Sequence, residues 1–294
     1  MVRKALTFSE AEITAFHEEM LYPVVRIQAK TALGSGSIIY SNPKKETPSE
    51  FETYILTNHH VIESAITQVE KWSSLLQRKY KGDVFADIDV EIFEYQYESW
   101  EPTHHTIPGE IITYDQDQDL GLVRLKTVKP MSYIAKLLPK GESKEKLRMF
   151  MTTLTVGSGL GEEPFPSVPG MLASLNRRIA NTDGKGYTFH LSSSPSIYGN
   201  SGGACFLMDT HEMIGIPSRI AVTGRFGSDA ITHMGYIIPI ERVYQFFKAE
   251  LLHFLYDPTY TSDQCFELRK KRREEDKKRM AIDISRDGDT VVKE

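Results

Sequence analysis

Residue types that could perform nucleophilic chemistry occur at three places in the 294-residue sequence. Ser201 lies in the string Gly-Asn-Ser-Gly-Gly, where flanking glycines permit a tight turn that aims backbone N–H groups at a developing oxyanion. The apolar run 54–57 leads into His59 and His60, and an acidic turn at 115–119 precedes an alternating strand. A serine nucleophile needs an imidazole to take its proton and a carboxylate to orient that imidazole. The three strings together therefore predict acyl transfer at a serine.

The residues alone leave alternatives open within these strings. Either His59 or His60 could be the base, and Asp115, Asp117 or Asp119 could be the carboxylate. The glycine-rich string is also compatible with a plain turn between strands. The order His, Asp, Ser and the position of each group at a strand end favour the catalytic interpretation over three unrelated turns.

Short strands are the elements that must position these groups. From Tyr22 onward, runs rich in Val, Ile, Tyr and Thr alternate with Gly, Pro, Asn and Asp, which is typical of antiparallel sandwiches and barrels. A capping box predicts a short helix at 9–20, and a second amphipathic helix follows at 240–255. Residues 63–81 have helical spacing and good helix formers, so a helical insertion between strands is expected there.

The motifs and their order resemble the chymotrypsin-fold (trypsin-like) serine peptidases, and most of all the HtrA/Deg branch. The similarity spans roughly residues 22–247. The strings that carry it are Gly34-Ser-Gly-Ser-Ile-Ile39, Thr57-Asn-His-His60-Val, Asp119-Leu-Gly-Leu, Val156-Gly-Ser-Gly-Leu-Gly161, Gly170-Met-Leu-Ala-Ser-Leu175, Gly199-Asn-Ser-Gly-Gly-Ala204, Ile214-Gly-Ile216 and Gly235-Tyr-Ile-Ile-Pro239.

The resemblance implies a mostly β protein with two antiparallel six-stranded barrels of the chymotrypsin fold and flanking N- and C-terminal helices. Together with the pattern of strands, helices and charge along the chain, it gives boundaries for these parts. They are an N-terminal helix at 1–21, a first barrel at 22–130 with the helical insertion near 63–81, a connector at 131–147, a second barrel at 148–239, a C-terminal helix at 240–256 and a charged tail at 257–294. The insertion is longer than the family resemblance leads us to expect.

The same resemblance assigns roles to individual residues. His60 directly precedes Val, as the family's histidine does, and would be the general base. Asp119 directly precedes Leu-Gly-Leu and would be its orienting carboxylate, with Ser201 as the nucleophile. Backbone N–H groups of the segment Gly199, Asn200 and Ser201 would form the oxyanion hole.

Alignment with the fold also predicts the pocket for the substrate residue before the scissile bond. Trypsin-like digestive enzymes carry an acidic residue six positions before the serine, where this sequence has proline, so a preference for Lys or Arg is not expected. We expect small or medium apolar side chains instead, although Arg219 and Arg225 could favour an acidic one. The predicted lining residues are Pro195, Ser196, Ile197, Tyr198, Ile216, Pro217, Ser218 and Gly235.

Asn200 has a further consequence within the resemblance. Digestive enzymes of this fold carry an aspartate there, which pairs with a freshly cleaved N-terminus. An amide cannot form that ion pair, so activity without N-terminal cleavage is expected.

Composition excludes several functional classes. The chain is 40% hydrophobic with a net charge of −5, which is ordinary globular usage and does not indicate a nucleic-acid binder. No apolar run could span a membrane or serve as a secretory signal. Cys205, expected in the core, and Cys265, expected in solvent, form neither a disulfide framework nor a metal-binding spacing. We therefore expect a cytoplasmic protein without metal or cofactor.

The tail and the absence of further modules complete the expectations. The run Arg269–Arg279 holds eight basic and three acidic residues; it predicts a solvated helix or arm, with nucleic acid or an anionic membrane as a weaker alternative. The residues after 255 are too few for a PDZ domain.

The sequence predicts a serine endopeptidase acting on proteins or peptides through an acyl-enzyme. The alternative is a catalytically silent protein-binding module on the same scaffold, and no oligomeric state is indicated.

Overall fold

Strands dominate the computed structural model, which describes residues 8–45, 47–73, 78–96, 98–180, 186–223 and 229–288. The first eight strands are β1 Val24–Gln28, β2 Leu33–Pro43, β3 Phe51–Thr57, β4 Ile66–Ser73, β5 Arg78–Phe85, β6 Ile88–Gln96, β7 Trp100–Asp115 and β8 Leu120–Leu125. The others are β9 Thr152–Gly157, β10 Phe165–Pro166, β11 Gly170–Ala180, β12 Gly186–Ser192, β13 Ala204–Leu207, β14 Met213–Thr223 and β15 Asp229–Pro239.

Helices are short except for the last one. They are α1 Glu10–Phe16, α2 His59–Ile62, α3 Ser143–Lys146, α4 Ile240–Ala249 and α5 Ser262–Gly288. A π-helical turn, His17–Leu21, continues α1, and 3-10 turns occupy Glu63–Ala65, Gly159–Gly161 and His253–Leu255. The predicted capping box is present, since Ser9 Oγ accepts the Glu12 N–H and the Glu12 carboxylate accepts the Ser9 N–H. None of the described helices combines the length and the apolar character needed to cross a membrane.

The described residues divide into two compact units, one formed by residues up to 65 with 86–246 and the other by 66–85 with residues from 247 onward. Within the first unit, β1-β2-β3-β8-β7-β6 form a closed antiparallel barrel. Alternate residues of its strands point inward, and Ile27, Ile55, Val90 and Val123 are fully buried. Gly36 lets β2 approach this core, because an added Cβ would lie 2.5 Å from Ile55.

A second ring of strands lies in the same unit. Its antiparallel order is β9-β11-β12-β15-β14-β13, and β13 pairs back with β9 through Cys205 opposite Thr155. The short strand β10 also pairs with β9, outside this ring order. Phe206 and the predicted core thiol Cys205, which are neighbours on β13, are both fully buried. The predicted mostly β architecture with two six-stranded barrels is therefore confirmed.

The helical insertion predicted near 63–81 is wrong. Among the described residues of this segment only the 3-10 turn at 63–65 is helical, and β4 and β5 then pair as an antiparallel hairpin from Ile66 opposite Phe85 to Ser73 opposite Arg78. The β-branched residues Ile66, Thr67 and Val69 favour the extended backbone. Intrinsic helix preference amounts to only tenths of a kcal/mol per residue, so continuous cross-strand pairing outweighs it.

The charged tail forms α5 in the second unit, and part of its basic run is used internally. Arg269 is buried and donates to the Glu250 carbonyl at 3.1 Å, while Arg272 donates to the Ala249 carbonyl. Both arginines therefore cap the carboxyl end of α4, where cations are favoured. Cys265 was expected in solvent but is fully buried, because one turn of helix places it on the same face as Arg269.

Buried His190 on β12 should make the protein sensitive to acid. Its Nδ1 accepts the Asn176 N–H at 3.2 Å, and burial lowers its pKa to about 4. The unfolded chain takes up this proton near pH 6.5, so the free energy of unfolding should fall as the pH drops from 6.5 to 4, by roughly 3 kcal/mol.

The measurement is urea unfolding at pH 7 and pH 4 for the wild type and His190→Gln, which retains an acceptor for Asn176 but cannot titrate. We expect the acid-induced loss of stability to be clearly smaller in His190→Gln. Exposed His104→Gln is the control and should behave like the wild type. Equal acid sensitivity of His190→Gln and the wild type would contradict the prediction.

Candidate active site

The histidine pair sits where a core strand ends. Fully buried β3 residues lead to Asn58, an extended N-cap from which α2 begins. His59 turns inward beside the Tyr114 ring, with centroids 4.9 Å apart, and burial lowers its pKa. His60 is exposed, and its Nδ1 lies 2.9 and 3.0 Å from the two carboxylate oxygens of Asp119. The structure thus brings together the histidine and the carboxylate that the family resemblance selects.

Asp119 occupies an unusual backbone conformation directly before β8. Its φ of +56° lies in the left-handed region, which non-glycine residues adopt rarely. Asn58 Nδ2 donates to the Asp119 carbonyl at 2.8 Å, and the His60 N–H donates to its carboxylate at 3.1 Å. The rival Asp115 instead accepts the Gln118 N–H at 2.8 Å within the turn.

A third side chain completes the environment of this carboxylate. Ser218 Oγ donates to Asp119 Oδ2 at 2.6 Å. Burial raises the pKa of Asp119, but the hydrogen bonds from His60 and Ser218 outweigh it and the net pKa lies below the usual value. Sequence alignment assigned Ser218 to the substrate pocket and missed this contact, since nothing in β14 alone shows which way the hydroxyl points.

The loop before Ser201 has the geometry of a type II turn. Asn200 N–H donates to the Ile197 carbonyl at 3.1 Å, and Gly199 has φ +97°, which this turn requires at its third position. No side chain would fit there, because a Cβ on Gly199 would lie 2.2 Å from the Ser158 carbonyl oxygen. Glycine at this position is therefore a requirement of both backbone conformation and space.

Two carbonyl contacts orient the N–H groups of this loop. The Tyr198 carbonyl accepts the Leu160 N–H at 2.7 Å, and the Asn200 carbonyl accepts the Gly203 N–H at 3.0 Å. The C=O and N–H of a trans peptide point in opposite directions, so the N–H groups of Gly199 and Ser201 point away from these partners. Within the described part of the chain, neither N–H donates a hydrogen bond. Both are free to bind a developing negative charge.

Ser35 of β2 links the first barrel to this loop. Its Oγ donates to the Gly199 carbonyl at 2.6 Å and accepts the Ser158 N–H at 2.8 Å. Its N–H donates to the Ser201 carbonyl at 2.8 Å, and its carbonyl accepts Thr57 Oγ1 at 2.7 Å. Ser35 is fully buried, so these bonds are shielded from water. The sequence identified this segment only as a strand and missed the hydroxyl.

Gly202 brings the Ser201 loop against the segment that carries His60. A Cβ on Gly202 would lie 2.4 Å from Thr57 Oγ1 and 3.2 Å from the Asn58 nitrogen. Ser201 itself is half-buried. Among the described side chains, a hydrogen bond joins His60 to Asp119, but none joins Ser201 Oγ to His60.

The predicted pocket residues differ in burial and in what they contact. Ser196 and Gly235 are brought together, since a Cβ on Gly235 would lie 3.1 Å from Ser196 Cβ. Tyr198 is an exposed rim residue with 66% of its surface accessible. Ile216 is fully buried opposite Ile238, so its assignment to an open pocket is wrong; the barrel pairing turns its side chain into the core. The other predicted lining residues are half-buried Pro195 and Ile197 and the buried Pro217.

Two arginines, Arg219 and Arg225, were predicted to favour an acidic substrate residue at this pocket. Arg219 is exposed and its guanidinium lies 5.3 Å from the centre of the Phe189 ring. Arg225 lies outside the described residues. No cluster of three or more His, Cys, Asp or Glu side chains suited to a metal ion occurs in the described ranges.

Comparison with known proteins decides the family. The model of the trypsin-like peptidase domain matches residues 34–216, which is more than half of the chain. The chain belongs to the trypsin-like peptidases. No curated protein is significantly similar to it in sequence.

Solved structures share the fold of this trypsin-like peptidase at low sequence identity. The HtrA-type protease AlgW with a tripeptide is 17% identical with a TM-score of 0.55, over 84% of this chain and 64% of that one. Deg5 is 19% identical with a TM-score of 0.54, over 82% and 95%. The MamO protease domain from Magnetospirillum magneticum is 14% identical with a TM-score of 0.52, over 78% and 98%. This peptidase thus spans less than two thirds of the AlgW chain.

Replacing Ser35 should disturb the loop that carries Ser201. Ser35→Ala leaves the Gly199 carbonyl and the Ser158 N–H without their partner, at a cost of about 1–3 kcal/mol in the free energy of unfolding. Urea unfolding measures this loss.

Ser37→Ala is the matched control, because Ser37 is two residues further along β2 and its buried hydroxyl has no partner in the structure. We expect Ser37→Ala to cost clearly less than Ser35→Ala. The prediction would be wrong if the two variants were equally stable.

Proposed function

We propose that this chain is a serine endopeptidase that hydrolyses peptide bonds of proteins through an acyl-enzyme intermediate. Ser201 is the nucleophile, His60 the general base and Asp119 the carboxylate that orients it. The observation that carries the proposal is the His60–Asp119 contact at 2.9 Å beside a loop with two free N–H donors.

The hydrogen bond to Asp119 decides which nitrogen of His60 reacts. Asp119 is an acceptor because its pKa lies below the usual value, so Nδ1 carries the proton and donates it to the carboxylate. Nε2 is then the unprotonated nitrogen, able to accept a proton from Ser201. Asp119 also stabilises the imidazolium that this transfer creates.

The reaction then proceeds in two halves. Ser201 Oγ attacks the substrate carbonyl carbon as its proton moves to His60 Nε2, and the N–H groups of Gly199 and Ser201 stabilise the oxyanion. His60 returns the proton to the leaving amine, the C–N bond breaks and the acyl-enzyme forms. In the second half, His60 takes a proton from water, the resulting hydroxide equivalent attacks the ester, and Ser201 is released with its proton.

The loop supports a peptidase that is competent without N-terminal processing. The Asn200 side chain is buried and its Oδ1 accepts the Ile197 N–H at 2.9 Å. The turn is therefore held by an amide within the loop and not by an ion pair with a chain terminus. We propose that both N–H donors are already oriented in the resting protein.

Small or medium apolar side chains are the proposed substrate residues before the scissile bond. Ser196 is pinned by its N–H donating to the Thr232 carbonyl at 2.7 Å, and it lies against Gly235. This contact narrows the space available to the substrate, and no acidic side chain is among the residues assigned to it. Exposed Arg219 offers the competing preference for an acidic residue.

A catalytically silent protein-binding module is the second candidate function. The observation that favours it is the lack of a described hydrogen bond between Ser201 Oγ and His60. Hydrogen bonds of catalytic groups are often long without substrate and tighten when it binds, so the first candidate remains the better supported.

Covalent labelling separates the two functions. The purified protein is treated with a fluorophosphonate probe beside Ser201→Ala and, as a control, the exposed-serine variant Ser99→Ala. We expect labelling and casein cleavage in the wild type and Ser99→Ala, with a loss of about 10⁴-fold or more in Ser201→Ala. Labelling that persists in Ser201→Ala, or is absent from the wild type, would contradict the proposal.

Activity should not depend on a free N-terminus. A protein with a blocking N-terminal tag and the same protein after tag removal are compared for kcat/KM on casein-derived peptides. We expect values within about twofold, because Asn200 replaces the ion pair that N-terminal cleavage would supply. Activity that arises only after trimming would show that the turn needs a terminus after all.

A further inference from the structure

Arg242 on the first turn of α4 is a buried cation with an unusual set of partners. Only 6% of its surface is accessible, and its guanidinium lies 5.0 Å from the centres of both the Tyr187 and Phe189 rings. Burial lowers its pKa to about 10, so it remains charged at neutral pH. No carboxylate of the described residues forms a salt bridge with it. A buried charge normally has such a partner. Arg242 instead directs its donors to uncharged oxygens.

The donors of Arg242 go to the turn that carries Asp119. Nε donates to Gln118 Oε1 at 2.7 Å and Nη2 donates to the Gln118 carbonyl at 3.0 Å. Nη1 donates to the Thr188 carbonyl of β12 at 3.1 Å. One guanidinium thus ties the end of the acidic turn to β12 of the second barrel and to α4.

The bond to the Gln118 carbonyl matters because of the peptide to which it belongs. That peptide joins Gln118 to Asp119, and its orientation sets the φ of Asp119, which is +56°. The Asp119 N–H donates to the Gln116 carbonyl over a long distance of 3.3 Å, so the turn itself holds this peptide weakly. A left-handed conformation of a non-glycine residue is strained and persists where its surroundings hold it.

We infer that Arg242 is a positioning residue for the proposed active site. By fixing the Gln118–Asp119 peptide from α4, it holds the Asp119 carboxylate on His60 Nδ1. Asp119 in turn keeps the proton of His60 on Nδ1. The effect on catalysis rests on the proposed function, whereas the effect on the His60 tautomer does not.

Guanidinium geometry is essential to this role. Two adjacent nitrogens reach the side-chain and main-chain oxygens of the same residue, Gln118, while a third reaches Thr188. A lysine ammonium is a compact charge that cannot span these three acceptors or stack on two rings. Arg242→Lys should therefore behave like a loss of the contact and not like a conservative change.

The test measures the His60 tautomer and the kinetics in the same proteins. Ring-¹⁵N-labelled histidine reports which nitrogen carries the proton, at a pH where the imidazole is neutral, and the His60 signals are assigned by difference against His60→Gln. We expect one Nδ1–H tautomer in the wild type and a mixture in Arg242→Met and Arg242→Lys. For a peptide substrate that the wild type cleaves, kcat should fall about 10- to 100-fold in the two Arg242 variants, while KM changes less than threefold.

Two further variants keep the inference falsifiable. Arg148→Met removes an arginine that donates to two carbonyls of the connector, and it should leave tautomer and kcat unchanged. Gln118→Ala removes only the side-chain acceptor, so it should shift both readouts in the same direction as Arg242→Met but less; it replaces Arg242→Met if that variant does not fold. A wild-type tautomer and kcat in the folded variants would overturn the inference. A protein that shows no serine chemistry but has the expected tautomer change would refute the proposed function alone.

Discussion

The ionised carboxylate of Asp119 is the constraint on which the rest of the site depends. Burial disfavours its charge, and the structure offsets that cost with hydrogen bonds from the His60 ring, the His60 N–H and the Ser218 hydroxyl. These donors come from α2 after β3 and from β14, so the two barrels must meet at this carboxylate.

In the loop that carries Ser201, hydrogen bonds to the backbone carbonyls determine where the N–H groups of the same peptides point. Leu160 and Gly203 each hold one peptide of the loop. Ser35, which belongs to the first barrel, holds two of them, through the Gly199 and Ser201 carbonyls. The hydrogen bonds of fully buried Ser35 are costly to break, because water cannot replace the lost partner there. Among the described residues, contacts from both barrels therefore orient the peptides of this loop.

Mispredicted parts of the chain show where local preference yields to tertiary pairing. The segment after His60 has helix-forming residues but becomes the β4–β5 hairpin, because cross-strand pairing along the two strands outweighs its small intrinsic helix preference. Ile216 and Cys265 are buried for the same general reason: strand register and helix periodicity decide which side chains face inward. None of these contacts can be derived from a local string.

The sequence by itself determined the fold class and the family, and it predicted the trio of His60, Asp119 and Ser201, because short motifs with fixed spacing indicate strand ends and a glycine turn. Only the tertiary structure decided the partners that orient them. Ser35, Ser218 and Arg242 are far from the residues they hold in sequence, and polar side chains at such positions have no local signature. Their roles arise from the directions in which packed barrels aim hydroxyl and guanidinium groups, which is a property of three-dimensional register and not of composition.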